Sequence, residues 1–276
     1  MAARPDVERS LALMCGAGSL PARMAEEARR QGWRVVAFAF DGAPDLAGRV
    51  AHVVRARVTE LPAVVGALVT EKVDAVLLSG RFSMGEFLRG GTADGEQARL
   101  EGTVGSFVDT RMAEVMAATL TGMGIDLLDQ RPFLGEWLAT PGCWSAREPG
   151  ETEWADIRRG FAVARFAADA GVGQTVVVKR GAVTAVEAVE GTTAAIARGA
   201  ALGGSGAVIV KVAASRHDFR FDTPAIGLET VEAAVTGGVT ALAVEASRVL
   251  LLDREVMTKR ADAAGIALVS AHAPAD

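Results

Sequence analysis

Short apolar runs recur along this chain, separated by stretches in which an apolar residue returns every three or four positions. Leu11-Ala12-Leu13-Met14 is the first run, residues 35–40 the second and Ala75-Val76-Leu77-Leu78 the third. Runs of four to six apolar residues suit strands buried on both faces. Between them Pro21 opens a helical stretch over residues 22–31 that Gly32 stops, and residues 61–69 read as a second helix. This alternation predicts a Rossmann-like parallel sheet with helices on both faces. A further helix is expected over Asp109–Gly122. Residues 84–106 are Gly-rich and without clear period, and are expected to form a long loop, functional or mobile.

Residues 141–153 (PGCWSAREPGETE) are polar and hold two Pro and two Gly, the pattern of a linker. Beyond them Ile157, Phe161, Ala164 and Ala168 recur at helical spacing, and Gly171 ends that helix. Residues 175–179 and 183–189 are β-rich and flank Arg180-Gly181, a hairpin signal. Further strands are expected at 208–210, 242–244, 249–252 and 266–270, with helices opening at Thr192 and over 228–235. The expected fold is therefore α/β with two domains. Residues 1–140 form the Rossmann-like N-terminal domain, 141–153 the linker, and 154–276 a mixed α/β domain with more antiparallel character that carries Asp222.

Composition narrows the function. At 276 residues and 50% apolar content both domains can bury a core. A net charge of −5, no Tyr and few aromatics argue against nucleic acid as a partner. Cys15 and Cys143 form no CxxC pair, so neither a zinc site nor a disulfide framework is expected, and a reducing cytoplasm fits. The polar start is not a secretory signal, and no run of about 18 apolar residues offers a membrane span.

Four stretches carry candidate chemistry. Gly16-Ala17-Gly18-Ser19 stands between a strand and a helix, where doubly wound domains bind phosphates. Pro21 replaces the third glycine of a dinucleotide fingerprint, so either an anion loop or a plain tight turn fits. Glu190-Gly191-Thr192-Thr193 can wrap a phosphate or simply cap a helix. Lys211 ends a strand, as a phosphate partner or a solvated strand end. Asp222, in Arg220-Phe221-Asp222-Thr223-Pro224, either caps the following helix or holds a divalent cation and activates water. His217-Asp218 reads either as a catalytic pair or as a surface loop. Cys15 reads as a buried strand residue rather than a nucleophile.

Taken in order, these strings resemble the UDP-2,3-diacylglucosamine pyrophosphatase family of the LpxI type. The resemblance spans residues 10–272 and rests on Gly16-Ala17-Gly18-Ser19-Leu20-Pro21, Gly173-Gln174, Val186-Glu187-Ala188-Val189-Glu190-Gly191-Thr192, Val210-Lys211, Asp218-Phe219-Arg220-Phe221-Asp222-Thr223-Pro224-Ala225-Ile226-Gly227 and Leu251-Leu252-Asp253-Arg254-Glu255. It implies a cytoplasmic, possible membrane-peripheral homodimer that uses Mg²⁺ to split UDP-2,3-diacylglucosamine into UMP and 2,3-diacylglucosamine 1-phosphate in lipid A biosynthesis. It implies Asp222 as the metal-linked catalytic residue. Gly16, Gly18, Ser19, Glu190, Gly191, Thr192, Thr193, Lys211, Arg220 and Thr223 would bind a UDP-linked acylated sugar held between the domains. The chain departs from the pattern at Thr193 and Thr110, which stand where the family carries Asp, at Gly80-Arg81-Phe82-Ser83, and at His217, where the family carries Gln. Those losses leave open a different nucleotide-diphospho sugar or lipid as substrate, or a non-catalytic binding homologue.

Overall fold

The computed structural model describes residues 9–57, 60–81 and 109–273. The loop expected over 84–106 lies outside the described residues, as do Phe82 and Ser83. The chain divides into two compact units. The first is Met1–Leu134 with Asp218–Asp222, and the second is Gly135–His217 with Thr223–Asp276.

The first unit is a five-stranded, all-parallel sheet. Its strands are β1 (Ser10–Cys15), β2 (Arg34–Ala39), β3 (His52–Arg55), β4 (Ala75–Ser79) and β5 (Asp126–Leu127), in the order β3-β2-β1-β4-β5. The three apolar runs are β1, β2 and β4, and all six residues of β1 are buried. Helix α1 (Leu20–Arg30) takes Pro21 in its first turn and Arg29 and Arg30 in its last, each favourable at that end. It buries Leu20, Met24, Ala25 and Ala28. Helices α2 (Leu61–Thr70) and α3 (Asp109–Gly122) match their sequence signals. Ala12, Met14, Val36, Phe38, Val64, Leu68, Val76 and Leu120 share one core, and Phe221 packs against it.

The second unit is a six-stranded mixed sheet. Its strands are β6 (Gly142–Cys143), β7 (Thr175–Lys179), β8 (Ala182–Val186), β9 (Val208–Lys211), β11 (Ala241–Glu245) and β13 (Ala267–Ala271), in the order β6-β13-β11-β9-β7-β8. The central three run parallel, while β6, β7 and β8 pair antiparallel with their neighbours. A separate parallel pair joins β10 (Ala225–Ile226) to β12 (Leu250–Leu251). Arg180 and Gly181 both take positive φ in the expected two-residue hairpin, and the Asp156 carboxylate accepts both of their N–H groups at 2.8 and 2.6 Å. Helix α4 (Glu151–Asp169) lays Ile157, Phe161, Ala164 and Ala168 on one face of the sheet. Helices α5 (Thr192–Gly203), α6 (Leu228–Thr236) and α7 (Arg254–Ala264) supply Ile196, Ala200, Val231, Ala234, Met257 and Ala261 to the core on the other.

Two expectations differ from the structure. Residues 141–153, read as a linker, are part of the second unit. Gly142 and Cys143 form β6, and Glu151 to Glu153 already belong to α4. The polar composition there has a structural use: the Arg147 guanidinium bonds Gly265 O at 2.8 Å, Thr240 O, and both oxygens of Glu153 at 2.8 and 2.9 Å. Asp222, read as belonging to the C-terminal domain, clusters with the first unit. The cause is local: Phe219 O accepts Gln130 N–H at 2.9 Å, the Arg131 guanidinium stacks on the Phe219 ring, and the half-buried Phe221 packs against that unit's core.

Candidate active site

In the first unit the strand order reverses between β1 and β4, the position where open parallel sheets hold ligands. The Gly16-Ala17-Gly18-Ser19 loop leaves β1 there, and Ser79-Gly80-Arg81 leaves β4. The two loops are stitched together by Gly16 N–H to Ser79 O (2.8 Å), Ala17 N–H to Arg81 O (2.9 Å) and Arg81 N–H to Ala17 O (2.8 Å). A Cβ at Gly16 would meet Arg81 O at 2.6 Å, and one at Gly80, whose φ is +85°, would meet Gly16 O at 2.8 Å. Both glycines are thus required by backbone contact. The amides of Gly16 and Ala17 are spent on this contact, whereas a dinucleotide loop turns its amides to the pyrophosphate. Gly18 and Ser19 are exposed at the start of α1. Cys15 is wholly buried, and desolvation pushes its thiol up to about 12, so it is no nucleophile.

The segment Asp218–Asp222 carries the acidic residue that the sequence singles out. Arg220 forms a bidentate pair with Asp218, Nε to Oδ1 at 2.9 Å and Nη2 to Oδ2 at 2.6 Å, and its guanidinium lies 5.5 Å from the Phe221 ring centre. A second Asp-x-Arg pair, Asp129 with Arg131, has the same form, and Arg131 stacks 4.6 Å over Phe219. The Arg131 hydrogen bonds hold Asp129 below the usual carboxylate range, against the like charge of Asp218. Asp222 itself is exposed. It is not the cap of the next helix. The residues Ala225 and Ile226 intervene as β10, and the N-cap of α6 is Gly227.

The second unit gathers Thr192 and Lys211 with Glu187, which the sequence reading quoted in the family string but gave no role. The Thr192 hydroxyl donates to Glu187 Oε1 at 2.7 Å and accepts from Lys211 Nζ at 2.8 Å. Lys211 Nζ lies 3.9 Å from Glu187 Oε2. Lys211 is 5% exposed and Glu187 9%. Lys211 is therefore not a solvated strand end, and Thr192 is not the cap of α5. That place belongs to Gly191, whose φ is +84°. Among the described residues Glu187 Oε2 and Thr175 Oγ1 are buried without a hydrogen-bond partner. A signal for Glu187 was present: its position beyond β8 continues the alternation of Ala185, so a carboxylate there points toward the core of α5.

The remaining candidates serve the loops around this group. Glu190 accepts Ala188 N–H at 3.1 Å and pairs with Arg198 at 2.5 Å, a hydrogen bond that lowers its pKa. Thr193 is exposed and Thr223 is buried. Thr110 lies in α3, without a described side chain. The chain after Lys211 is fastened firmly: Glu245 accepts Ala213 N–H at 3.0 Å and pairs with Arg165 and Arg248, while Asp169 accepts Ser215 N–H and Oγ–H at 2.5 and 2.7 Å. The structure thus brings together Glu187, Thr192 and Lys211 in one unit, and Arg220 with Asp218 beside Asp222 in the other. Among the described residues no group of three or more His, Cys, Asp or Glu can hold a metal ion, and no helix is long and apolar enough to cross a membrane.

Comparison with known proteins extends over both units. The UDP-2,3-diacylglucosamine pyrophosphatase LpxI of Caulobacter vibrioides is 32% identical over 151 residues, which are 52% of this chain and 54% of that protein. The chain thus matches about half the length of this curated relative. Among solved structures, a biotin carboxylase–β,γ-ATP complex from Campylobacter jejuni aligns with 70% of this chain and 41% of its own at 10% identity. Its TM-score of 0.27 is too low to carry an argument. Residues 10–137 match the LpxI N-terminal domain and residues 140–269 the LpxI C-terminal domain, in that order and nearly end to end, and on this ground the chain belongs to the LpxI family.

Proposed function

We propose that this chain is a hydrolase of lipid A biosynthesis that cleaves UDP-2,3-diacylglucosamine to UMP and 2,3-diacylglucosamine 1-phosphate. Water adds to one phosphorus, the bridging P–O bond breaks, and the leaving phosphate takes the charge. The observation that carries this reading is the match of both halves to the two LpxI domains, with a relative that bears this activity in its name.

The chemistry needs two things, neutralised phosphate charge and a placed water. Asp222 is an exposed carboxylate and is not the cap of the next helix, so a metal–phosphate group can reach it from solvent. Mg²⁺ is commonly held by one or two carboxylates together with substrate phosphates and waters, so the lack of an all-protein cage among the described residues suits it. Asp222 would hold the ion, which when bound supplies charge neutralisation and polarisation of the attacked phosphorus. Lys211 keeps two N–H donors beyond its bond to Thr192, and the amides opening α5 favour an anion. The Asp218 pairing fixes the plane of the Arg220 guanidinium, which lies exposed on the same segment as Asp222.

One observation favours a second substrate. Thr193, which is exposed, and Thr110 are neutral residues where the resemblance calls for Asp, so a related nucleotide-diphospho sugar or lipid is the alternative. A single assay decides. The protein is incubated with Mg²⁺ and UDP-2,3-diacylglucosamine, and in parallel with unacylated UDP-sugars, and UMP release is followed. UMP from the diacylated substrate alone is expected. Release only from the other compounds moves the assignment to them, and no release from any sinks the hydrolase reading.

A further inference from the structure

Glu187 is the carboxylate that stands beside the buried Lys211 among the described residues. The ammonium of Lys211 sits at the first turn of α5, bonded to Thr192 Oγ1 at 2.8 Å, with the side chain only 7% exposed. Two effects oppose a cation in that place. Burial removes its hydration, and the N-terminus of a helix carries partial positive charge. Glu187 opposes both. Oε1 accepts a hydrogen bond from the Thr192 hydroxyl at 2.7 Å, which leaves the lone pairs of that hydroxyl oxygen for Lys211, and Oε2 stands 3.9 Å from Nζ. The hydroxyl thereby commits its one donor to Glu187 and accepts one hydrogen bond from Lys211. Oε2 makes no hydrogen bond among the described residues, so its stabilising action on Lys211 is through charge. The backbone enforces the placement. Glu187 N–H bonds Thr175 O at 2.8 Å, Thr175 faces Lys211 across β7 and β9, and a Cβ at Gly173 would meet Glu187 O at 2.1 Å.

We propose that Glu187 is a positioning residue: it holds Lys211 and Thr192 in one arrangement at the start of α5, ready for the phosphate groups of the substrate. This rests on the function proposed above, and it concerns binding rather than the bond-breaking step. Removing the Glu187 charge would therefore raise KM and leave kcat within about twofold, since an interaction made equally in ground and transition state acts on KM alone.

The test uses the full chain and two readouts. Binding of inorganic pyrophosphate is measured by calorimetry, and steady-state KM and kcat are measured with UDP-2,3-diacylglucosamine. Glu187→Gln keeps the shape and loses the charge; Glu187→Asp keeps the charge. At least a tenfold rise in the pyrophosphate Kd and in KM is expected for Glu187→Gln, with kcat near wild type and a smaller effect for Glu187→Asp. Should Glu187→Gln fail to fold, Thr192→Val breaks the same chain from its middle and is expected to move both constants the same way. A folded Glu187→Gln or Thr192→Val with wild-type Kd and KM overturns the proposal, as does a wild-type protein that binds no pyrophosphate. A wild type that binds pyrophosphate in a Glu187-dependent manner yet releases no UMP keeps this proposal and removes the proposed reaction.

Discussion

Asp222 gains its interest from what it does not do. An Asp ahead of an apolar helix is most simply a cap, yet the helix opens at Gly227, five residues on, after a strand that pairs with β12. The neighbours of Asp222 are committed: Phe221 to the core of the first unit, Thr223 to burial, Arg220 to Asp218. An exposed carboxylate on so anchored a segment is suited to a reacting group. Asp222→Ala should therefore lower the rate of UMP release by on the order of several thousandfold, the loss expected when a metal-linked group is removed. Circular dichroism and melting temperature should stay near wild type, because the side chain is not part of a core. Activity within about tenfold of wild type would assign the role elsewhere.

At the scale of elements, the stitched loops at the ends of β1 and β4 are the best case for reading sequence against structure. The strand-loop-helix order, the position of Pro21 and the parallel sheet were legible, because apolar runs and helix-start chemistry are local signals. The hydrogen bonds from Gly16 and Ala17 to the β4 loop were not, because they join residues more than 60 positions apart. The same limit hid Glu187. Its string was visible, but its meeting with Lys211 comes from the pairing of β7 with β9, which no local pattern shows. The short strands β3 and β6 escaped for a further reason: four and two residues leave no period to detect. A clear prediction attaches to the stitch. Gly16→Ala places a methyl 2.6 Å from a carbonyl oxygen that is itself hydrogen-bonded, so the loops must part. A loss of about 2 kcal/mol or more in urea unfolding is expected. Gly18→Ala meets nothing within 4 Å and carries only the strain of its positive φ, so it should cost less. Equal losses in the two variants would show that the close approach is not what selects glycine at 16.

For the whole molecule, the charges that matter for stability are carboxylates held ionised by their neighbours. Arg34 and His52 lower the pKa of Glu71, Arg131 that of Asp129 and Arg198 that of Glu190. Glu153 shows the largest effect. Burial alone would raise its pKa, but hydrogen bonds from Arg147, Thr240 and Gly150 N–H outweigh it and bring it to about 2 from an ordinary 4.5. A carboxylate depressed in the folded state contributes stability that is present above its unfolded value, near 4.5, and is lost as pH falls toward about 2. For a side chain only 15% exposed the full shift corresponds to about 3 kcal/mol. The chain should thus unfold at lower urea concentration at pH 3 than at pH 7. Glu153→Gln should be less stable than wild type at pH 7, and the gap between the two should narrow as pH falls from 5 to 2.5. Its place is in the second unit, since Arg147, Thr240 and Gly265 all lie there, so a transition assigned to that unit by local probes should carry the change. Trp137, Trp144 and Trp154 report on that unit by fluorescence, and the first unit holds Trp33. A gap between wild type and Glu153→Gln that is the same at pH 7 and pH 3 would mean that the Arg147–Glu153 contact stabilises by shape and not by charge.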